Sequence, residues 1–386
     1  MKILKKIIIL CAVFTLTGCE SALTEMGFSK VPAEKVASEN EVSTESIINE
    51  SKTSKAISDE AEISYDDVYY GIVESLETME MISEHRGSVD KYDIGIAIEK
   101  ISQTHPEFFW IDGYTTIKSF AKTEIQINPI NDYSVDKLSV MLDELVSSAD
   151  KLISEIPAGA DDFEKIVFVH DYIVNHTTYD VAGAELIEKD LYGVGEKGLF
   201  GTAYGCLVEG SAVCQGYAEA FQYIMNRIGI ECGMCRGSVS DGPHVWNYVK
   251  LNNKYYWIDV TWDDPVPEEG NEEILRHTYC LIDDERMLKS HIVDYNCLFI
   301  PKCYSMEENY FVKNNAYLAY YSDNGIAEVL NSHSDEREVE IMFSDSNSYS
   351  EAIKHLFENG DIWNFVDGGE VTYSGDDSLY ILKIIY

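Results

Sequence analysis

The chain has 386 residues, with 29 lysines and arginines against 68 aspartates and glutamates, a net charge of −39. A surface this acidic repels phosphate backbones and anionic lipid headgroups, which argues against nucleic-acid binding and against electrostatic docking on a membrane. Hydrophobic residues make up 45% of the chain, and the length is enough for two or three modules, each with its own core.

Residues 1–18 carry Lys2, Lys5 and Lys6, then an apolar run from Ile7 to Phe14, then Leu16-Thr17-Gly18 before Cys19. A charged start and a short apolar stretch predict a secretory signal peptide. The run is too short to cross a bilayer as a helix. The Leu-Thr-Gly-Cys ending resembles the lipobox of bacterial lipoproteins. That resemblance implies a lipid on Cys19 and residence on the extracytoplasmic face of the cell membrane. Residues 19–60 are rich in Ser, Glu, Lys, Thr and Asn with few aromatics. Such a stretch cannot bury enough surface to fold and predicts a disordered tether. No later segment reads as a membrane span.

Residues 61–155 predict an N-terminal α+β module, with helices near 65–82 and 92–103, strands within 112–129 and a long helix over 134–155. Phe108, Phe109 and Trp110 are expected to pack on the core rather than line a groove. Residues 160–176 predict a helix with Phe163, Ile166, Val167, His170, Ile173 and Val174 inward. His170 and His176 read as structural, because no Cys or His lies at ligand spacing from them, and no metal is expected. Residues 188–201 are rich in Gly and charge and read as a surface loop, either inert or a candidate groove wall or lid.

A second helix is predicted from Cys214. Small or apolar residues fall at Cys214, Tyr217, Ala218, Phe221, Ile224, Met225 and Ile228, and Gly229 supplies a stop. Gly205 and Gly210 break the chain upstream, which places Cys214 in the first helical turn. The free N–H groups and the helix dipole there favour an anion, the state a nucleophilic thiol needs. Taken alone, Cys214 also fits a small buried core residue.

Cys232-Gly-Met-Cys235 reads as a strand whose i and i+3 side chains point to opposite faces and cannot bridge. A second such pair, which zinc would need, is absent from the sequence. Cys206, Cys232, Cys235, Cys280, Cys297 and Cys303 would suffice for three disulfides in an exported protein, with Cys297 and Cys303 the likeliest local pair.

Residues 244–251 and 254–262 read as two strands of a hairpin turning at Asn252-Asn253. With those two residues as the loop, Trp246 faces Asp259 and Tyr248 faces Trp257. His244 becomes the diagonal neighbour of Asp259 on the same face, roughly 7–8 Å away between Cα atoms. Val245, Val249, Leu251, Tyr256, Ile258 and Val260 form an apolar set on the other face. Aromatics gather nearby and core packing explains most of them; Trp246 and Tyr204 are candidates to line a substrate groove, and Trp246, placed beside Asp259 by the register, is in position to shield the pair from water. Residues 291–386 alternate differently, with strands at Glu338–Phe343 and Ser378–Ile385 and a helix at Tyr349–Phe357, and predict a small C-terminal α+β module.

Cysteine, histidine and aspartate are the minimum set for thiol nucleophilic catalysis, in which a thiolate attacks, an imidazole moves protons and a carboxylate orients the imidazole. Their contexts are Tyr204-Gly-x-Leu207-x-x-Gly210-x-x-Val-Cys214-Gln-Gly-Tyr-Ala, Gly237…His244-Val-Trp-Asn and Tyr256-Trp-Ile-Asp259-Val-Thr-Trp-Asp-Asp-Pro265. These runs, with the helix Phe163 to Tyr179, resemble the transglutaminase-like superfamily, specifically bacterial proteins with a transglutaminase core domain. The likeness is strong over about 160–290. It implies an α+β fold with a papain-like core over 156–290, in which a helix bearing the cysteine packs on an antiparallel sheet bearing the histidine and aspartate. The small α+β modules flank it. It assigns nucleophile to Cys214, general acid/base to His244 and orienting carboxylate to Asp259, with no cofactor and a protein or peptide substrate. Active members of the family pass through a thioester and differ in whether an amine or water accepts the acyl group. A cysteine peptidase or amidase acting on peptides or cell-wall peptides is the alternative enzyme, and a non-catalytic scaffold keeping the fold is the alternative from another class.

Overall fold

The computed structural model describes residues 65–119, 121–188, 198–266, 275–295, 297–334, 336–367 and 369–386. The predicted signal segment, Cys19 and tether lie outside the described residues, as do 189–197 of the loop before Cys214. Among the described residues, no helix is long and apolar enough to cross a membrane.

The N-terminal part runs α1 (Tyr65–Glu77), β1 (Ile82–Arg86), α2 (Lys91–Thr104), β2 (Ile111–Lys118), β3 (Lys122–Pro129) and α3 (Val135–Glu155). Its strands form an antiparallel sheet in the order β1-β3-β2. The sequence reading extended the first helix to residue 82. The chain instead turns at Met79, in the left-handed region at φ 59°, and residues 82–86 pair with β3.

The central part contains α4 (Asp162–His176), β4 (Thr178–Tyr179), α5 (Val181–Glu188), β5 (Ser211–Ala212), α6 (Cys214–Arg227), β6 (Cys232–Val239), β7 (Gly242–Leu251), β8 (Lys254–Ile258), β9 (Cys280–Ile282), α7 (Asp284–Met287) and β10 (Ile292–Val293). Five of its strands form an antiparallel sheet in the order β10-β6-β7-β8-β9. Tyr248 pairs with Trp257 across β7 and β8, the register the sequence predicts, and Asn252 and Asn253 take the positive φ of the turn. The second strand ends earlier than predicted. Residues 259–262 leave the ladder and form a turn, because Asp259 takes backbone N–H groups onto its own side chain.

The last part adds α8 (Tyr310–Lys313), β11 (Tyr317–Leu318), α9 (Asp323–Ser332), β12 (Glu338–Phe343), α10 (Ser346–Ile353), β13 (Thr372–Asp376) and β14 (Ile381–Ile385). These strands form a sheet in the order β11-β12-β14-β13. The final strand starts at Ile381 rather than Ser378, because Asp376 accepts the N–H groups of Ser378 and Leu379 in a tight turn.

Two hydrophobic cores meet at the central sheet. Val249, Leu251, Tyr256 and Ile258 join α6, α3 and the N-terminal module in one core. Trp246 and Trp257, on the opposite face, join the C-terminal sheet in the other. With both faces covered, every strand of the hairpin reads as apolar, not only its alternate positions. Phe108, Phe109 and Trp110 are core residues, as expected, and Phe109 stacks on Tyr204 at 5.1 Å. In α4, Val169 is buried where the sequence reading placed Val167. The N-terminal and central parts therefore share a core rather than forming separate modules. The central part also reaches past residue 290, since β10 pairs with β6.

Candidate active site

Cys214 is the first residue of α6. Helices α2, α3 and α4 are capped at their starts by the side chains of Asp90, Ser134 and Asp161, but the residue before Cys214 is Val213, which offers no cap. The N–H groups that a helix start leaves without intrahelical partners thus face the thiol's surroundings. The segment entering the helix is held on both sides. Phe200 O accepts the Val213 N–H at 2.8 Å, and Ala212 O accepts that of Asp180 at 2.8 Å. The end of the preceding loop is accordingly buried, with Leu199 and Phe200 near the helix start. Gly216 makes this close approach possible. A Cβ there would stand 2.6 Å from Phe200 O and 2.8 Å from the Ala212 Cβ.

His244 lies on β7 and Asp259 one residue beyond β8. A carboxylate only accepts hydrogen bonds, so the ring nitrogen facing it donates. His244 Nε2–H donates to Asp259 Oδ2 at 2.6 Å, and Cys214 is near enough to the ring to help raise its pKa. The ring nitrogen not engaged by Asp259 is Nδ1. Asp259 is fully buried, and its Oδ1 accepts the N–H groups of Thr261 and Trp262, both at 3.1 Å. The structure thus brings together all three residues singled out from the sequence.

Electrostatics follow from this geometry. Burial opposes charge on the His244 ring, but Asp259 and then Cys214 outweigh it and push its pKa up to about 10. Burial likewise opposes charge on Asp259, yet His244 and His291 hold its carboxyl well below the usual carboxylate range. The histidine is therefore poised as an imidazolium beside a permanent carboxylate.

Trp246 is buried at 1% exposure, with its ring 5.8 Å from that of His244 and nearly parallel to it. It shields the pair and walls no open groove. Tyr204 is also buried, and its hydroxyl donates to Glu144 of α3 at 2.6 Å. Its role is to join α3 to the core, which corrects the expectation that it lines a groove.

Sequence reasoning missed two neighbours. His291, assigned to the C-terminal module, sits against Asp259 and donates from Nε2 to the same Oδ2 at 2.9 Å. Its Nδ1 meets Ser290 Oγ at 2.9 Å, and Ser290 Oγ meets the Tyr279 hydroxyl at 3.1 Å. Gly237 lets β10 deliver it, since a Cβ there would collide with the Ile292 carbonyl and with Trp246. Tyr179, paired with Ala212 through β4 and β5, is the second. Burial and then the Cys214 charge push its phenol up to about 12, so it remains neutral. Neither residue shows a spacing that marks it in sequence.

All seven described cysteines are free thiols, so the expected disulfides are not formed among them. Cys297 lies against Cys235 and the Arg236 backbone rather than against Cys303. A hydrogen bond from Cys235 holds the Cys297 thiol down at about 6.

A thiol at a helix start, an imidazole and a buried carboxylate on an adjoining antiparallel sheet form the constellation of papain-like thiol proteins. Residues 150–261 match the family model of the transglutaminase-like superfamily, and the chain contains a transglutaminase-like domain of α+β fold. The match includes Cys214, His244 and Asp259 and ends before His291. Human kyphoscoliosis peptidase is 26% identical over 33% of this chain, which spans a fifth of that relative's length. A solved structure of a TGase is 13% identical over 50% of this chain and 53% of its own, with a TM-score of 0.29. A candidate cysteine protease from Cytophaga hutchinsonii is 14% identical over 48% of this chain and 69% of its own, with a TM-score of 0.24.

Proposed function

We propose that this chain is an extracytoplasmic lipoprotein, anchored through Cys19, that attacks amides of proteins or peptides with Cys214 and passes through a thioester. The observation that carries the chemistry is the His244–Asp259 hydrogen bond, with the carboxylate fully buried and Cys214 at an uncapped helix start near the imidazole. The Cys214 thiolate adds to the amide carbonyl. The oxyanion is taken by N–H groups of the helix start, with the Tyr179 hydroxyl as a further donor. His244 gives its proton to the departing amine, and the imidazole then activates the acceptor.

Two acceptors fit. Water makes the chain a peptidase or amidase, a reading supported by the name of the human relative. An amine makes it an acyltransferase, a reading supported by the burial of His244 under Trp246, which limits access of water to the pair. Incubation with peptide libraries, with and without a primary amine, followed by mass spectrometry of the peptides, separates them. New amide products only with amine support transfer. Shortened or deamidated peptides in its absence support hydrolysis. Turnover that persists in Cys214→Ala would overturn the mechanism, and a correctly folded chain that never forms an adduct would leave the scaffold reading.

A further inference from the structure

A second histidine cluster lies apart from the thiol. Helix α4 carries His170 and Asp171, and His277 precedes β9. His170 Nδ1 and His277 Nε2 both point at one atom, Asp171 Oδ1, at 2.8 and 3.0 Å. These three atoms lie within 4.8 Å of one another. The far nitrogens are also engaged. His170 Nε2 faces Asp263 Oδ2 at 3.1 Å, and His277 Nδ1 faces Glu340 Oε2 at 2.8 Å. Both of those carboxylates are buried, and the Tyr310 ring stacks flat on His277 at 3.6 Å.

Lone-pair accounting narrows what the centre contains. A neutral imidazole has one N–H and one lone pair. When the far nitrogens donate to Asp263 and Glu340, two imidazole lone pairs and a carboxylate oxygen converge on one point. Something positive must stand between them, either two more protons or one divalent cation of the same total charge. Buried carboxylates behind the rings are the arrangement that fixes the tautomer of metal-bound histidines. Asp171 keeps 31% of its side chain exposed, which supplies an entry path and an open coordination position.

We propose that His170, Asp171 and His277 form a site for a divalent transition metal of the zinc class, with Asp263 and Glu340 orienting the two imidazoles. Two nitrogens, one carboxylate oxygen and one water make a tetrahedral set suited to zinc. Ligand atoms around zinc, at about 2.0–2.2 Å from the ion, stand roughly 3.3 Å apart, so binding lengthens the two N···O edges, now 2.8 and 3.0 Å, by a few tenths of an ångström. The site holds no thiol and is a brace, not a second reaction centre. Asp263 donates its backbone N–H to Asp259 O at 3.3 Å, so the imidazole that would bind the ion also steadies the turn carrying the catalytic carboxylate.

The test uses the full chain without a histidine tag and with Cys214→Ala, stripped by chelator and titrated with Zn²⁺ and Co²⁺. One equivalent should bind, raise the melting temperature by several degrees and leave on adding chelator. The Co²⁺ complex should show visible ligand-field bands without a sulfur charge-transfer band. Asp171→Asn, a partly exposed isostere, and His277→Gln should lose the equivalent, whereas His291→Gln should retain it. Absence of a bound equivalent in the parent protein, a sulfur charge-transfer band, or full binding by folded Asp171→Asn would each overturn the proposal. The parent stoichiometry and spectrum decide the matter even where a variant fails to fold.

Discussion

Asp259 Oδ2 accepts two imidazoles at once, His244 Nε2 at 2.6 Å and His291 Nε2 at 2.9 Å. Its other oxygen accepts two backbone N–H groups. The Asp259 carboxylate is thus itself oriented by four donors, and one, His291, comes from far beyond the turn that holds Asp259. Removing the His291 donor leaves more negative charge on Asp259 for His244 to share. In His291→Gln the His244 titration followed by NMR should move upward from about 10, and stability should fall by about 1.5–3 kcal/mol, the range for a buried hydrogen bond to a charged group. An unchanged titration would remove His291 from the site's electrostatics.

Asp259→Asn should act in the opposite sense. Burial alone lowers the His244 pKa, and the carboxylate is the larger of the two influences that raise it. The His244 titration should drop by more than two units, and alkylation of Cys214 at pH 7 should slow at least tenfold, scored by peptide mapping because Cys297 is also held low. The raised pKa carries a stability term. His244 is charged in the folded state below about 10 and in the unfolded chain only below about 6.5, so its stabilisation is complete below pH 6.5 and is lost as pH rises toward 10. Asp259→Asn should flatten that part of the stability profile measured by urea unfolding.

Glu219 gives a second pH dependence, at lower pH. It is buried in α6, where its carboxylate accepts Gln215 Nε2 at 2.9 Å and the Ala203 N–H at 3.2 Å. Burial outweighs these bonds and pushes its pKa up to about 7. An acid with a raised folded pKa releases its proton more readily when unfolded, so stability declines from about pH 4.5 to 7 and is level above that. Glu219→Gln should remove this decline in urea unfolding profiles, at the cost of one hydrogen bond.

Trp246 separates packing from polarity. Its side chain is buried and its Nε1 has no hydrogen-bond partner. Trp246→Phe therefore loses no hydrogen bond and should cost under about 2 kcal/mol, whereas Trp246→Ala should cost about 3–5 kcal/mol through the cavity left beside His244. Denaturant unfolding of the two variants checks the difference.

Gly237→Ala should disturb the site from a distance. The added Cβ meets the Ile292 carbonyl and Trp246, so β10 must shift and carry His291 away from Asp259. Its His244 titration should move in the same direction as that of His291→Gln.

What could be read from the sequence was what local pattern encodes. Alternation and the Asn252-Asn253 turn were enough to pair His244 with Asp259, and the apolar stripe after Gly210 was enough to put Cys214 at a helix start. Strand β1 escaped because residues 82–86 pair with β3, some forty residues on, and lack an apolar face of their own. The end of β8 escaped because a side-chain cap, not a propensity, stops it. His291 and the His170–His277 pair arise from contacts between residues 32 and more than a hundred positions apart, for which one chain offers no periodic signal.

The most direct measurement is intact-mass analysis of the chain quenched during reaction with a peptide library, followed by mapping of the adduct. The account predicts an acyl group on Cys214, labile to hydroxylamine, absent in Cys214→Ala and strongly reduced in His244→Ala. An acyl adduct of equal yield in Cys214→Ala, or turnover of peptides with no acyl-enzyme on Cys214, would contradict it.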